Sequence, residues 1–203
     1  MFFSILLHNY CKIDIRLKGT TMKNVYLFLA DGTEECEALV TLDLLRRAGI
    51  DVTTVSVMDS RTIKSSSDVN IEADVMIEGV NLNEADMLIL PGGMPGTLHL
   101  GECQELCDAV LSFNEADKKI AAICAAPSVL GKLGVLEGKS AICYPGFEDE
   151  LKGATISKTD PVTDKNITTA SGLGHVIPFA LEIIKVLDSE DKANEVASQI
   201  GYK

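Results

Sequence analysis

Residues 119–128, with the sequence KIAAICAAPS, carry the pattern that decides the fold. The apolar run at residues 120–123 has the length and composition of a strand that is buried on both faces. It leads to Cys124 on a turn flanked by small residues. Pro127 suits the first turn of a following helix, because no backbone N–H is needed there. The stretch therefore predicts a strand, a sharp turn with a cysteine at its apex, and a helix.

Two interpretations of Cys124 follow from this pattern. A thiol at the N-terminus of a helix lies at the positive end of the helix dipole, which favours the thiolate. Small neighbours let the backbone bend and a substrate approach, as in the strand–nucleophile–helix elbow of hydrolases. The alternative is a buried structural cysteine, which is the commoner case for an arbitrary cysteine. The strand–cysteine–helix context favours the reactive interpretation.

Strands and helices alternate on both sides of this unit. The predicted strands are residues 25–30, 52–57, 87–90, 120–123, 141–143, 155–157 and 167–169. The predicted helices are residues 34–48, 103–113, 127–133, 175–187 and 191–200. Short alternating pieces between residues 60 and 80 predict a small antiparallel excursion. This alternation predicts an α/β fold, with an open, mostly parallel sheet and helices on both faces.

Length and composition predict one domain, residues 22–203, preceded by an extension. With 203 residues and 46% hydrophobic content, the chain can bury a single good core. The apolar run at residues 2–7 is too short to span a bilayer. It also lacks the basic region and cleavage site of a secretory signal. Met22 looks like a natural start, so we expect residues 1–21 to lie outside the core.

Charge and cysteine usage restrict the partners. A formal net charge of −12 argues against nucleic acid and against anionic membrane surfaces as partners. The six cysteines are irregularly spaced, which favours reduced thiols in the cytoplasm over disulfides. Cys103 and Cys107 are predicted to share a helix face, where packing is favoured over a metal pair. The histidines are too scattered to propose a metal site, and no cofactor is predicted.

Three segments end core strands and should meet at one sheet edge, where open α/β sheets bind ligands. They are residues 31–37, residues 91–96 and the Cys124 turn. The Gly92–Gly93 pair and the amide of Ala125 could present backbone N–H groups to a reacting oxygen, forming an oxyanion hole. The alternative for the glycine pair is simply a tight turn. No nucleotide-binding glycine motif follows the first strand.

One acidic residue near the start of the first helix should face the cysteine. Glu34, Glu35 and Glu37 are all candidates, and spacing alone does not choose among them. Acidic residues also favour the first turn of any helix, because of its dipole. An ionised carboxylate beside Cys124 would raise the pKa of the thiol. The pair therefore makes sense if the carboxyl stays protonated and donates a hydrogen bond to sulfur.

At this point the chain resembles a known family. The resemblance rests on LPGG at residues 90–93, AAICAAP at 121–127, residues 31–37, RRAGI at 46–50 and TASGLG at 169–174. It is to the DJ-1/ThiJ/PfpI superfamily, closest to the DJ-1/ThiJ clade, and covers residues 22–200. It implies a flavodoxin-like three-layer sandwich, related to the class I glutamine amidotransferases, and a homodimer.

The resemblance also implies roles for individual residues. It implies an oxidisable nucleophile at Cys124, a carboxyl partner at Glu37, and oxyanion-binding amides at Gly93 and Ala125. The choice of Glu37 over its neighbours comes from the resemblance alone.

The chain departs from the family pattern at several positions. Protease-like members carry His directly after the nucleophilic Cys, where this chain has Ala125. Some members carry a His where Tyr144 stands, and many carry Arg where Ser171 stands. His175 replaces a usual Thr, and a partly exposed surface histidine is the alternative to a site residue. We expect Gly92, Tyr144, Ser171 and His175 to line the substrate pocket.

These residues lead to two functional hypotheses. The first is a cysteine-dependent enzyme acting on reactive carbonyl compounds, of glyoxalase or deglycase type, with a small aldehyde or a glycated protein as substrate. The second is a non-enzymatic redox sensor or chaperone that is switched by oxidation of Cys124. A peptidase is a third hypothesis. It is weakened by Ala125, because the histidine that would serve as general base is missing from its expected place.

Overall fold

The computed structural model describes residues 23–203, so the extension predicted at residues 1–21 lies outside them. The strands in this part of the chain are β1 (Asn24–Leu29), β2 (Asp51–Ser56), β3 (Thr62–Lys64), β4 (Asn70–Glu72), β5 (Val75–Met76), β6 (Met87–Leu90), β7 (Lys119–Ile123), β8 (Ser140–Ala141), β9 (Thr155–Ile156), β10 (Val162–Asp164) and β11 (Ile167–Ala170). The helices are α1 (Glu35–Arg47), α2 (Gly96–Glu102), α3 (Gln104–Glu115), α4 (Pro127–Lys132), α5 (Val176–Leu187) and α6 (Glu190–Gln199).

A seven-stranded sheet forms the middle layer, in the order β10-β11-β7-β6-β1-β2-β5. Its neighbouring strands pair in parallel, except for the antiparallel edge pair β10 and β11. The central strands β1, β6 and β7 are almost continuously buried. Strands covered on both faces have this apolar composition, which is why their runs are recognisable in the sequence.

Helices cover both faces of the sheet. Alternate residues of β1 contribute to opposite faces, because successive side chains of a strand point in opposite directions. Val25 and Leu27 join one apolar cluster, together with α1, α5 and α6. Tyr26 and Phe28 join the other, together with α2, α3 and α4. This three-layer arrangement confirms the predicted α/β fold with a mostly parallel sheet.

The chain reverses its direction of travel across the sheet at β1. From β1 the chain moves to β2 on one side, whereas β6 and β7 lie on the other. At such a switch point the loops beyond the strand ends diverge and leave a crevice. The segments after β1, β6 and β7 surround this crevice, and they are the three segments expected to meet.

The segment between residues 60 and 80 differs in part from its prediction. Strands β3 and β4 form the expected antiparallel pair, but β5 joins the main sheet in parallel with β2. Asp74 explains this docking, since its carboxylate accepts hydrogen bonds from the backbone N–H and hydroxyl of Thr54, each at 2.9 Å. The backbone N–H of Asp74 returns a bond to the Thr54 hydroxyl. These side-chain contacts hold β5 at the sheet edge.

Three further elements depart from expectation. Helix α2 lies in a stretch for which the sequence predicts no element, because Pro95 and two helical glycines hide its pattern. Strand β10 also escaped prediction. The strand predicted at residues 141–143 ends at Ala141. The N–H of Ile142 donates instead to the hydroxyl of Thr169, which replaces a strand partner.

Candidate active site

Cys124 lies at the apex of the turn between β7 and α4. Its φ of 64° is left-handed, a conformation that costs free energy for a residue with a β-carbon and that clusters at functional sites. The neighbouring backbone holds it, because the Cys124 N–H donates to the Ala170 carbonyl at 3.0 Å. The Cys124 carbonyl accepts from the Tyr144 N–H at 2.7 Å. Pro127 occupies the start of α4, as predicted.

Glu37 is the acidic residue that reaches the crevice. Its side chain is buried, with 1% of the residue exposed, and its Oε2 accepts the Gly92 N–H at 3.0 Å. Its Oε1 has no hydrogen-bond partner in the described part of the chain. Glu34 instead caps α1 by accepting the Glu37 N–H. Glu35 is half-exposed and contacts the Ser66 hydroxyl, so neither neighbour takes the place of Glu37.

Gly92 and Gly172 flank the Cys124–Glu37 pair. A β-carbon on Gly92 would stand 2.6 Å from Glu37 Oε2 and 3.0 Å from Cys124 Sγ, so both atoms border the same small space. A β-carbon on Gly172 would stand 3.7 Å from Sγ and 3.7 Å from Oε1. Only a glycine lets the backbone approach so closely. The sulfur and the carboxyl are thus neighbours, and the backbone of two glycines borders both of them.

Burial favours the protonated form of both Glu37 and Cys124. Burial, above all, raises the pKa of Glu37 from 4.5 to about 7. Burial first, and then the charge of Glu37, raise the pKa of the Cys124 thiol from 9.0 to about 12. Between these values the pair holds one negative charge and one shared proton. Burial and carboxylate therefore outweigh the helix N-terminus, which was expected to favour the thiolate.

Backbone amides act in the opposite direction on the sulfur. The N–H groups of Gly93 and Ala125 lower the pKa of Cys124 by hydrogen bonding, as donors to an anion do. Gly93 has a φ of 92°, and a β-carbon there would collide with the backbone of Gly32 and Glu34. The two predicted oxyanion donors thus lie next to the sulfur. They are oriented to stabilise charge that develops there.

The remaining predicted pocket residues occupy the rim. Tyr144 is 51% exposed, and its ring lies 3.3 Å from the position a Gly172 β-carbon would take. Ser171 and His175 contact each other, with Ser171 Oγ 3.0 Å from His175 Nδ1. The partly exposed histidine, one of the two alternatives for His175, matches its position.

Sequence reasoning missed two residues beside this rim. Asp160 Oδ2 lies 3.0 Å from His175 Nδ1, and the Asp160 carboxylate also accepts the Ser171 N–H. The backbone N–H of Leu173 lowers the pKa of Glu37. Asp160 is distant in sequence from every motif used, and a backbone N–H has no side-chain signature. The only available signal was the helix-opening stretch at residues 171–174.

The described residues also bear on metal binding, disulfide formation and membrane insertion. No group of three or more His, Cys, Asp or Glu side chains in residues 23–203 could hold a metal ion. The five cysteines in this range are all free thiols. No helix of this part of the chain is long and apolar enough to cross a membrane.

A match to a family model decides the relationship. Residues 23–186 match the model of the DJ-1/PfpI family. The chain belongs to the DJ-1/PfpI family. Among curated members of that family, protein dj-1beta of Drosophila melanogaster is 38% identical over 177 residues, which cover 86% of this chain and 95% of that protein.

Two further members bear on the site. The Caenorhabditis elegans protein named glutathione-independent glyoxalase DJR-1.2 is 29% identical over 168 residues, covering 82% of this chain and 89% of that protein. The solved structure of oxidized Toxoplasma gondii DJ-1 superposes with a TM-score of 0.85 at 35% identity, covering 89% of this chain and 98% of that one. The DJ-1/PfpI fold thus extends over nearly all the described residues.

Proposed function

We propose that this protein is a cysteine-dependent enzyme acting on reactive carbonyl compounds, of glyoxalase or deglycase type. The observation that carries the proposal is the convergence of Cys124 Sγ and Glu37 Oε2 beside Gly92. A nucleophile next to a group that holds a proton near neutral pH suits addition to an aldehyde. The similarity to a protein named a glutathione-independent glyoxalase supports the same reaction class.

The first step is addition of sulfur to the aldehyde. For methylglyoxal, Sγ of Cys124 bonds to the aldehyde carbon while the C=O π electrons move onto oxygen. The thiol proton passes to Glu37, whose pKa of about 7 lets it accept and return a proton at neutral pH. The N–H groups of Gly93 and Ala125 stabilise the developing oxyanion. Protonation of that oxygen gives a hemithioacetal.

The second step moves a proton between the two substrate carbons. Glu37 removes the proton from the former aldehyde carbon and returns one to the neighbouring carbon, while the hydroxyl proton moves from the first oxygen to the former ketone oxygen. These two proton shifts convert the hemithioacetal into a lactate thioester. Water then cleaves the carbon–sulfur bond, releasing lactate and restoring the thiol. The sum is methylglyoxal plus water giving lactate, without an external oxidant or cofactor.

Replacement of the sulfur tests the proposal. Cys124→Ser should abolish lactate formation from methylglyoxal, because a serine hydroxyl beside Glu37 is a far weaker nucleophile. Cys36→Ser is the matched control, since Cys36 is an exposed thiol on α1 and should leave the rate unchanged. Undiminished turnover by the Cys124 variant would contradict the proposal.

A redox sensor or chaperone is the second candidate, and the half-buried sulfur beside an acid favours it. The related Toxoplasma gondii protein has been solved in an oxidized form. Peroxide would supply two oxygens to Cys124, giving a sulfinate that accepts a hydrogen bond from protonated Glu37. A sensor should gain these two oxygens at Cys124 before other cysteines react, and should lack turnover. Intact mass and lactate assays on one preparation distinguish the two candidates.

The proposal extends to the substrate and setting of the protein. A small aldehyde or a glycated protein is the substrate, and a homodimer is the assembly that the family resemblance implies. The cytoplasm is the compartment favoured by its cysteine usage. Nucleic acid and membrane surfaces stay outside the proposal, because the net charge of −12 repels both.

A further inference from the structure

Asp160, Ser171 and His175 form a closed cluster at the rim of the crevice. One carboxylate oxygen of Asp160 lies 3.0 Å from His175 Nδ1. Both of its oxygens accept the Ser171 N–H, at 3.1 and 3.3 Å. The Asp160 side chain is mostly buried, with 13% exposed, whereas 46% of the His175 side chain is exposed. Asp160 thus fixes both ends of the short segment at residues 171–175.

The cluster resembles a serine–histidine–aspartate triad in composition, but its geometry differs. In a hydrolytic triad the carboxylate and the serine hydroxyl bind opposite nitrogens of the imidazole. Here Asp160 and Ser171 Oγ both contact Nδ1. The hydroxyl therefore has no base positioned to activate it. The arrangement favours a structural tie over a second nucleophile.

The tied segment covers the reactive pair. Gly172, in its middle, has a φ of 154°, and a β-carbon on it would stand 3.7 Å from both Cys124 Sγ and Glu37 Oε1. The backbone N–H of Leu173 lowers the pKa of the Glu37 carboxyl. The ring of Tyr144 lies 3.3 Å from the position of the same β-carbon. Opening this segment would admit water to the sulfur and the carboxyl together.

We propose that Asp160 and His175 form a clasp that holds residues 171–175 closed over Cys124 and Glu37. Asp160 and His175 are positioning residues. The inference rests on the proposed function, because that function makes the Cys124–Glu37 pair important. The contact that matters is the one at His175 Nδ1; the other ring nitrogen, Nε2, plays no part in it. This distinction makes the clasp testable, because two amide side chains mimic the two nitrogens separately.

The test measures alkylation of Cys124 by iodoacetamide at pH 8 in the full-length protein, with each cysteine followed by mass spectrometry. In His175→Asn the amide nitrogen lies as many bonds from the backbone as Nδ1 does, so it can still donate to Asp160. In His175→Gln the amide nitrogen matches Nε2 instead. We expect His175→Asn to alkylate at the wild-type rate, and His175→Gln, His175→Ala and Asp160→Ala to alkylate faster.

Two effects produce the faster reaction. Opening the segment exposes the sulfur to the reagent. It also relieves the burial that raises the pKa of the thiol, and each unit of decrease gives about tenfold more thiolate. Buried Cys107 and Cys143 should stay unreactive in every variant, which separates local opening from unfolding. His99→Ala, on α2, should behave as wild type.

Each alternative result overturns the clasp. Faster alkylation in His175→Asn would assign the effect to Nε2 or to ring packing. Unchanged alkylation in both His175→Ala and Asp160→Ala would show that the segment stays closed without them. Parallel reaction of Cys107 would show global unfolding rather than a local clasp. Because alkylation needs only the thiol, a protein that forms no lactate would end the proposed function while this test still decided the clasp.

Discussion

Glu37 is a carboxyl held where its charge is unfavourable. Its pKa rises from 4.5 in an ordinary setting to about 7 in the folded protein, chiefly because it is buried. The folded state therefore binds the proton more tightly than the unfolded state. The stabilisation that the folded state gains by binding this proton is complete below about pH 4.5. It falls as the pH rises towards 7, and it is absent above that. By this reasoning ionised Glu37 costs up to about 3 kcal/mol at pH 8.

Glu37→Gln should therefore make the protein more stable and less active. We expect urea unfolding at pH 8 to show a gain of up to about 3 kcal/mol over wild type, and the gain to vanish near pH 4.5. Lactate formation should be lost, because an amide cannot accept the thiol proton. Glu35→Gln is the control: the pKa of Glu35 is lowered to about 2, mainly by the Ser67 hydroxyl, so its removal should bring no such gain. A pH-independent difference between Glu37→Gln and wild type would contradict this account.

At the scale of an element, α4 makes one very close backbone contact. A β-carbon on Gly131 would collide with the carbonyl oxygen of Glu150 and stand 2.8 Å from the Leu151 α-carbon. The 3₁₀ turn at Glu148–Glu150 therefore packs directly on the helix backbone. Because α4 begins three residues after Cys124, this contact also helps to hold the elbow.

A pair of glycine substitutions tests this packing. Alanine normally stabilises a helix by about 1 kcal/mol relative to glycine, but Gly131→Ala should destabilise the protein by about 1–3 kcal/mol because of overpacking. Gly101→Ala on α2 is the control, since its β-carbon would meet only Val129 methyl groups at 3.4 Å or more. Urea unfolding should show opposite signs for the two variants. A stabilised Gly131→Ala would mean that the 3₁₀ turn moves aside freely.

The elements differ in how far the sequence could predict them. Continuous apolar runs made β1, β6 and β7 recognisable, because strands covered on both faces must be apolar along their length. Cys124 was recognisable from its position between such a strand and Pro127. The choice of Glu37 came from family resemblance, since residues 34, 35 and 37 share a helix turn. Asp160 was beyond reach, because its contact with His175 exists only after the chain folds.

At the scale of the whole molecule, two apolar clusters share one sheet. The cluster on one face runs from Val25 to Val196 along the chain, and the cluster on the other begins at Tyr26. Each central strand contributes side chains to both. Loss of either cluster would therefore destabilise the strands on which the other cluster packs. We infer from this that residues 22–203 unfold as one cooperative unit.

Removal of residues 1–21 tests the predicted domain boundary. A chain that begins at Met22 retains both clusters and the anchoring of β1, where the Asn24 N–H donates to Asp86 at 2.9 Å. We expect its free energy of unfolding and its rate of lactate formation to equal those of the full chain. Circular dichroism and tyrosine fluorescence should report one coincident urea transition in both proteins. Removing residues 22–29 as well should abolish folding, because β1 lies between β2 and β6 at the centre of the sheet. A shorter chain with a lower midpoint than the full chain would place part of residues 1–21 inside the folding unit.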